Sequence, residues 1–249
     1  MTMSILLTGG TGRLGRHVVK ALRSRALEHR ILSRHPGEGH VVGDLSTGAG
    51  LAAALDGVDT VLHLATSRSK DIEQTRRLLD AMARRGPTGT DAHLIFISIV
   101  GVDRIPFGYY RDKVASEQAI ESSGVPFTII RVTQFHGFVR EFLDAQRRMP
   151  VTFVLPVSAQ TIHMPEVAER LADLVAAGPS GRVADLGGPE QLTLHEYARQ
   201  WQAHRGMRRP IWTLHLPGKT LAAVRAGSHL SGLPGAGKVT FREYLEAGE

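Results

Sequence analysis

Through the first three-quarters of the chain, short apolar runs alternate with stretches whose apolar residues recur every three or four positions. The runs are Ile5-Leu6-Leu7-Thr8, His29 to Ser33, Val41 to Asp44, Thr60 to Leu64, His93 to Ser98 and Phe127 to Arg131. Between them lie helical patterns at His17 to Leu22, Leu51 to Leu55, Ile72 to Ala83 and Val114 to Ile120. On the third of these, Leu78, Leu79 and Met82 share one side. Strands with so little polar alternation are buried on both faces, and the intervening amphipathic helices supply the cover. The pattern therefore predicts an α/β fold with a doubly wound parallel sheet. In such sheets a ligand lies beyond the carboxyl ends of the strands, so the residues after each strand are the first place to seek function.

Past Val132 the alternation loosens. Pro150 to Pro156 encloses a short β-like run, Pro165 to Ala177 reads as a helix with Pro in its first turn, and Arg182 to Leu186 reads as a late strand. Thr193 and Glu196 stand at the spacing of a capping box that opens another helix. With 249 residues the chain is long enough for one sizeable core. The expected organisation is a single domain over 1–249. Its core covers about 1–135 plus 160–190, and a small discontinuous C-terminal region on the substrate side covers about 136–159 and 190–249.

Composition narrows the function classes. No run of about 18 apolar residues exists to span a membrane, and Met1-Thr2-Met3 leads directly into the first strand with no leader pattern. The chain has no cysteine, which excludes disulfides, thiol nucleophiles and cysteine-based metal sites and points to the cytoplasm. Thirty Lys and Arg against 24 Asp and Glu give +6, but the charges are dispersed, as at Arg76-Arg77 and Arg84-Arg85. The Arg205 to Arg209 cluster is short and lacks interleaved aromatics, so a solvated basic surface is expected rather than nucleic-acid binding. The twelve histidines form no metal-ligand spacing. Gly232 to Val239 approaches a phosphate-loop pattern but ends in Val239, without the magnesium-binding hydroxyl, and reads as a flexible loop.

The strongest chemical signal follows the first strand. Thr8-Gly9-Gly10-Thr11-Gly12-Arg13-Leu14-Gly15 runs into a helix and fits the dinucleotide glycine pattern in either of two registers. Gly9, Thr11, Gly12, Arg13, Leu14 and Gly15 are thus candidate cofactor-binding residues, with the helix amino terminus facing a pyrophosphate. After the second strand, Ser33 and Arg34 replace the acid that would bind a ribose 2′-hydroxyl. A hydroxyl and a guanidinium suit a 2′-phosphate, with Arg13 as a second cation, which favours NADP(H). The alternative for Arg34 is a surface residue opening the turn before Pro36.

Asp44 and Leu45, then Ala65 and Thr66, follow successive strands and would lie along one extended dinucleotide. After the fifth strand, which ends at Ser98, Tyr109 and Lys113 stand four apart and share a helical face. An ammonium beside a phenol, with the positive nicotinamide of an oxidised cofactor, stabilises the phenolate and moves it toward neutral pH, which suits acid–base work. Tyr110 has no such lysine. His136 and His163 follow strand-like segments near the expected pocket, and a hydrogen-bonded structural role is the alternative for each.

Together these residues resemble the short-chain dehydrogenase/reductase superfamily, in its atypical NmrA-like, NAD(P)H-binding branch with a Rossmann fold. The resemblance spans essentially the whole chain. It rests on the glycine segment, Gly43-Asp44-Leu45, His63-Leu64-Ala65-Thr66, Ile97-Ser98-Ile99-Val100-Gly101, Tyr109 to Lys113, and Ile130-Arg131-Val132-Thr133-Gln134-Phe135-His136. It implies Ser98, Tyr109 and Lys113 as the catalytic serine, tyrosine and lysine, with Lys113 also on the cofactor, and Thr133, Gln134 and Phe135 beside the nicotinamide half. Tyr110, His136, Phe138 and His163 are the substrate-side candidates. The superfamily's asparagine would fall near Asp71, and the chain contains no asparagine. The expected activity is NADPH-dependent reduction of a carbonyl or similar polarised group in a small, largely apolar molecule by a monomer or homodimer. A redox-neutral isomerase, lyase or cyclase and a non-catalytic NADP(H) sensor are the alternatives.

Overall fold

The structure, a computed structural model, describes residues 3–67, 70–84, 92–232 and 235–248. Arg85, of the expected basic pair, lies outside them, as do Leu233 and Pro234 of the phosphate-loop-like segment. The strands are β1 (Ile5–Thr8), β2 (His29–Ser33), β3 (His40–Val42), β4 (Thr60–His63), β5 (His93–Ile99), β6 (Phe127–Val132), β7 (Gln134–Phe135), β8 (Thr152–Val154), β9 (Ser158–Ile162), β10 (Gly181–Arg182), β11 (Gln191–Thr193) and β12 (Ile211–Thr213). The helices are α1 (Arg13–Ser24), α2 (Leu51–Leu55), α3 (Asp71–Ala83), α4 (Gly108–Glu121), α5 (His136–Asp144), α6 (Met164–Ala177), α7 (Leu194–His204), α8 (Lys219–Arg225) and α9 (Phe241–Glu246).

The chain divides into two compact units. The first comprises Met1–Ser98, Gly108–Ile130 and Val167–Ala184. It holds a seven-stranded sheet in the order β10-β6-β5-β4-β1-β2-β3, in which β1 pairs parallel with both β2 and β4, and β4 with β5. The chain winds outward from β1 through β2 to β3, then crosses to β4 and winds the other way. The order reverses between β1 and β4, which is where a doubly wound sheet opens a crevice for a ligand. Leu6, Val61, Leu94 and Ile129 from the strands pack with Leu51, Leu55, Leu78, Met82 and Ile120 from the helices in one buried cluster. This is the packing that the apolar runs and the i, i+3, i+4 helix pattern require.

The second unit comprises Ile99–Phe107, Arg131–Glu166 and Asp185–Glu249. Here β9 pairs antiparallel with β11 and parallel with β7, while β12 pairs parallel with β8. Val139, Leu143, Tyr197, Trp201, Phe241 and Tyr244 form its apolar centre. The Thr193–Glu196 capping box forms at α7, and Thr240 with Glu243 repeats it at α9. The expected strand at Arg182 to Leu186 is broken: only Gly181–Arg182 forms β10, and Leu186 makes an isolated bridge to Val132.

The basic cluster at Arg205 to Arg209 folds onto its own unit. Arg205 pairs with Asp144 at 2.7 Å, Arg209 donates to Thr152 Oγ1 at 2.8 Å, and both guanidinium groups lie over the Trp201 ring. Nor is the Gly232 to Val239 segment loose where described. Gly237 N–H donates to Gly187 O at 2.9 Å, and a Cβ on Gly235 would fall 1.9 Å from Gly188 O.

Candidate active site

The glycine segment after β1 is held by backbone approaches that admit no side chain. Gly9 adopts φ +72°, and a Cβ there would lie 2.7 Å from Ala65 N in the loop after β4. A Cβ on Gly15 would lie 2.2 Å from Gly9 O, so α1 can start close under the loop only with glycine at that position. Helix α1 has no side-chain cap and no acid in its first turn. Its leading N–H groups and dipole therefore present a cradle for an anion such as a pyrophosphate. Thr11, Arg13 and Arg34 are exposed, and Ser33 Oγ accepts from His35 N–H at 3.1 Å. Asp44 Oδ1 accepts from Ser46 N–H at 2.8 Å and shapes the turn after β3, whereas the Leu45 side chain belongs to the apolar core.

Beneath the loop runs a buried polar column. Thr8 Oγ1 accepts from Ala65 N–H and lies 2.8 Å from His63 Nδ1, and His63 Nε2 lies 3.2 Å from Thr75 Oγ1. The Thr75 hydroxyl donates onward to Ser116. Burial, reinforced by the Lys113 charge, lowers the His63 imidazole to about 3. It is therefore a neutral strut joining β1, β4 and α3.

The decisive geometry lies between the loop after β4 and α4. Thr66 Oγ1 sits 2.8 Å from the Tyr109 hydroxyl and donates to Asp71 Oδ2 at 2.8 Å. Asp71, the first residue of α3, takes the Ser67 N–H on its other oxygen, and its Oδ2 also holds the Lys113 ammonium at 3.2 Å. Lys113 is buried and lies over the Phe96 ring, 4.7 Å from the centroid. Burial lowers its ammonium against the pull of Asp71.

The protein's own groups do not draw the Tyr109 phenol toward neutral pH. Burial pushes that phenol up, the Thr66 hydrogen bond pulls it down, and the Asp71 and Tyr110 charges push it up again. The ammonium that was to stabilise a phenolate is committed to a carboxylate. Tyr110, with its ring centroid 6.1 Å from that of Tyr109, is raised by burial. Ser98 Oγ is buried near the end of β5 with no hydrogen-bond partner among the described residues.

The remaining sequence candidates lie in the second unit. Thr133 Oγ1 accepts from Gly188 N–H at 3.2 Å, and Gln134 and Phe135 form β7. His136 Nδ1 lies 2.6 Å from Thr161 Oγ1 and its Nε2 lies 3.0 Å from Val239 O, so both ring nitrogens are engaged. Its imidazole is lowered to about 4 by burial. His163 lies against the Tyr244 ring at 5.9 Å, and Phe138 is exposed on α5. The sequence marks Thr66 as a cofactor neighbour and Asp71 as the position where the superfamily's asparagine would fall. The network they form was not anticipated, although a carboxylate in the asparagine position was its visible trace.

Residues 9–176 match the NAD(P)H-binding family, and the chain belongs to that family. A (4-alkanoyl-5-oxo-2,5-dihydrofuran-3-yl)methyl phosphate reductase of Streptomyces griseus is 30% identical over 220 residues, covering 83% of this chain and 75% of that protein. Quinone oxidoreductase 2 of Escherichia coli is 24% identical over 222 residues, covering 81% and 74%. Among solved structures, an NADPH-dependent quinone oxidoreductase of Escherichia coli in complex with NADPH superposes with a TM-score of 0.83 at 20% identity, covering 98% of this chain and 99% of that one. Among the described residues, no helix is long and apolar enough to cross a membrane.

Proposed function

We propose that this chain is an NADPH-dependent reductase of a carbonyl or similarly polarised group in a small, largely apolar molecule. The observation that carries this reading is on α4, where Tyr109 and Lys113, one turn apart, are both tied to the segment after β4, through Thr66 and Asp71. That is the crevice side of the sheet's reversal point. Family membership supplies the cofactor class, and the reductase names of the relatives support the reaction class.

In this reading Gly9, Thr11, Gly12, Arg13, Leu14 and Gly15 hold the pyrophosphate, and Ser33 and Arg34 take the 2′-phosphate. Asp44, the Leu45 backbone, Ala65 and Thr66 line the path of the dinucleotide. The cofactor, when bound, supplies a hydride to the substrate carbon. Tyr109 gives its phenolic proton to the oxygen that becomes basic in that step, and Ser98 hydrogen-bonds the same oxygen. Lys113 fixes the Asp71 carboxylate that accepts the Thr66 hydroxyl.

Deuterium tracing tests the proposal. The protein is incubated with NADPH carrying two deuteriums at the nicotinamide C4 position and a panel of enones and aldehydes, whose products retain the label on carbon. The expected result is one deuterium on the reduced product per NADPH consumed. Product formed without NADPH consumption would make the chain a redox-neutral enzyme, and tight NADPH binding with no product from any acceptor would make it a sensor.

A further inference from the structure

Asp71 Oδ2 is shared. It accepts the Thr66 hydroxyl at 2.8 Å and faces the Lys113 ammonium at 3.2 Å, while Oδ1 takes the Ser67 N–H. A carboxylate in an ion pair has no proton to give, so Thr66 must donate to it. Thr66 has a single hydroxyl proton, and that proton is spent. The 2.8 Å contact between Thr66 Oγ1 and the Tyr109 hydroxyl is then made with the Tyr109 proton. Proton placement on the phenol is thus dictated from two residues away.

We infer that Asp71, acting through Thr66, is a positioning residue that holds Tyr109 in its proton-donating form and makes Thr66 the partner of the phenolate left after donation. The inference rests on the reading of Tyr109 as the acid. Tyr109 passes its proton to the substrate oxygen, breaking its own O–H bond as the new O–H forms. Thr66 keeps its proton but turns it from Asp71 Oδ2 to the phenolate oxygen. Asp71 retains Lys113 and the Ser67 N–H, and Tyr109 recovers a proton from solvent once product leaves. No oxidant or reductant beyond the hydride step is needed.

The titratable groups facing this chain are Asp71 on α3, His63 on β4, and Tyr110, Lys113 and Glu117 on α4. Of these, Asp71 and Tyr110 raise the Tyr109 phenol, while the Thr66 hydrogen bond lowers it.

The test is the titration of Tyr109 in the full-length protein carrying ¹³Cζ-labelled tyrosine. With four tyrosines in the chain, the resonance is assigned by its loss in Tyr109→Phe. Asp71→Asn is expected to lower the phenol's titration midpoint and Thr66→Val to raise it, each by about half a pH unit or more, with Thr66→Ser close to wild type. Thr66 is exposed, so the two threonine variants keep the test decisive if Asp71→Asn fails to fold. Midpoints unmoved in the folded variants, or Thr66→Ser behaving like Thr66→Val, would overturn the inference. A Tyr109→Phe protein with full reductase activity would instead overturn the assignment of Tyr109 as the acid, whatever the titration shows.

Discussion

The Lys113 ammonium stands 3.2 Å from the Asp71 carboxylate, with 6% and 2% of the two side chains left to solvent. A pair so withdrawn from water is costly to break from one side, because the survivor is a buried, uncompensated charge. Lys113→Met is expected to destabilise the protein by about 3–5 kcal/mol. The double variant Lys113→Met with Asp71→Asn should recover most of that loss. Urea unfolding of the three proteins checks this, and a single variant within about 0.5 kcal/mol of wild type would show that the pair is not buried as described.

The glycine loop gives a sharper expectation. Gly15→Ala would place a Cβ 2.2 Å from Gly9 O, with Gly10 Cα at 2.6 Å. Backbone atoms on both sides cannot retreat without moving α1 off the loop. Loss of NADPH binding by isothermal titration is expected, with a fall in melting temperature. Gly39→Ala serves as a control for generic glycine loss, since a Cβ there meets nothing within 4 Å. It carries only the strain of a φ of +68°.

In the proposed reading, cofactor choice rests on Ser33 and Arg34. A lost charge-assisted contact to a 2′-phosphate costs about 1.5–3 kcal/mol. Arg34→Ala should therefore weaken NADPH by about 10- to 150-fold while leaving NADH nearly unchanged. Titration of both cofactors against both proteins measures the ratio, and an unaltered preference would move the 2′-phosphate site elsewhere.

How far the sequence disclosed this site depends on the range of each interaction. The β1–glycine–α1 unit is local, and its strand pattern, glycine spacing and helix all lie within one short segment, so it was readable. The parallel sheet followed from apolar runs buried on both faces. Helix α4 shows apolar periodicity only from Val114 to Ile120, while the four-residue spacing of Tyr109 and Lys113 marks its first turns; the helix runs from Gly108 to Glu121. That pair, the Thr66–Tyr109 contact and the His63 column join residues far apart in sequence, and no local pattern encodes them. The second unit was the least legible, because its centre is assembled from β9, α5, α7 and α9, short elements separated by long connections.

Buried histidines set the acid limit of stability. Burial lowers His63 to about 3 and His93 and His136 to about 4. Below the ordinary histidine value of about 6.5 the unfolded chain takes up protons that these folded sites refuse. Stability should therefore fall as pH drops from about 6.5 toward 4, by up to about 1.4 kcal/mol per pH unit for each histidine. His93→Gln should flatten the slope of unfolding free energy against pH in that window. An unchanged slope would mean that His93 is protonated in the folded protein.

The central claim is that Tyr109 donates the proton in an NADPH-dependent reduction. Its most direct test is single-turnover oxidation of NADPH, with the acceptor identified by deuterium tracing, in wild type, Tyr109→Phe and Tyr110→Phe. Tyr109→Phe keeps the ring and removes only the hydroxyl that meets Thr66 at 2.8 Å. The account predicts a rate lower by about 10²–10⁴-fold with NADPH affinity nearly intact, and a near-normal rate for Tyr110→Phe. A Tyr109→Phe protein that turns over at the wild-type rate would contradict it.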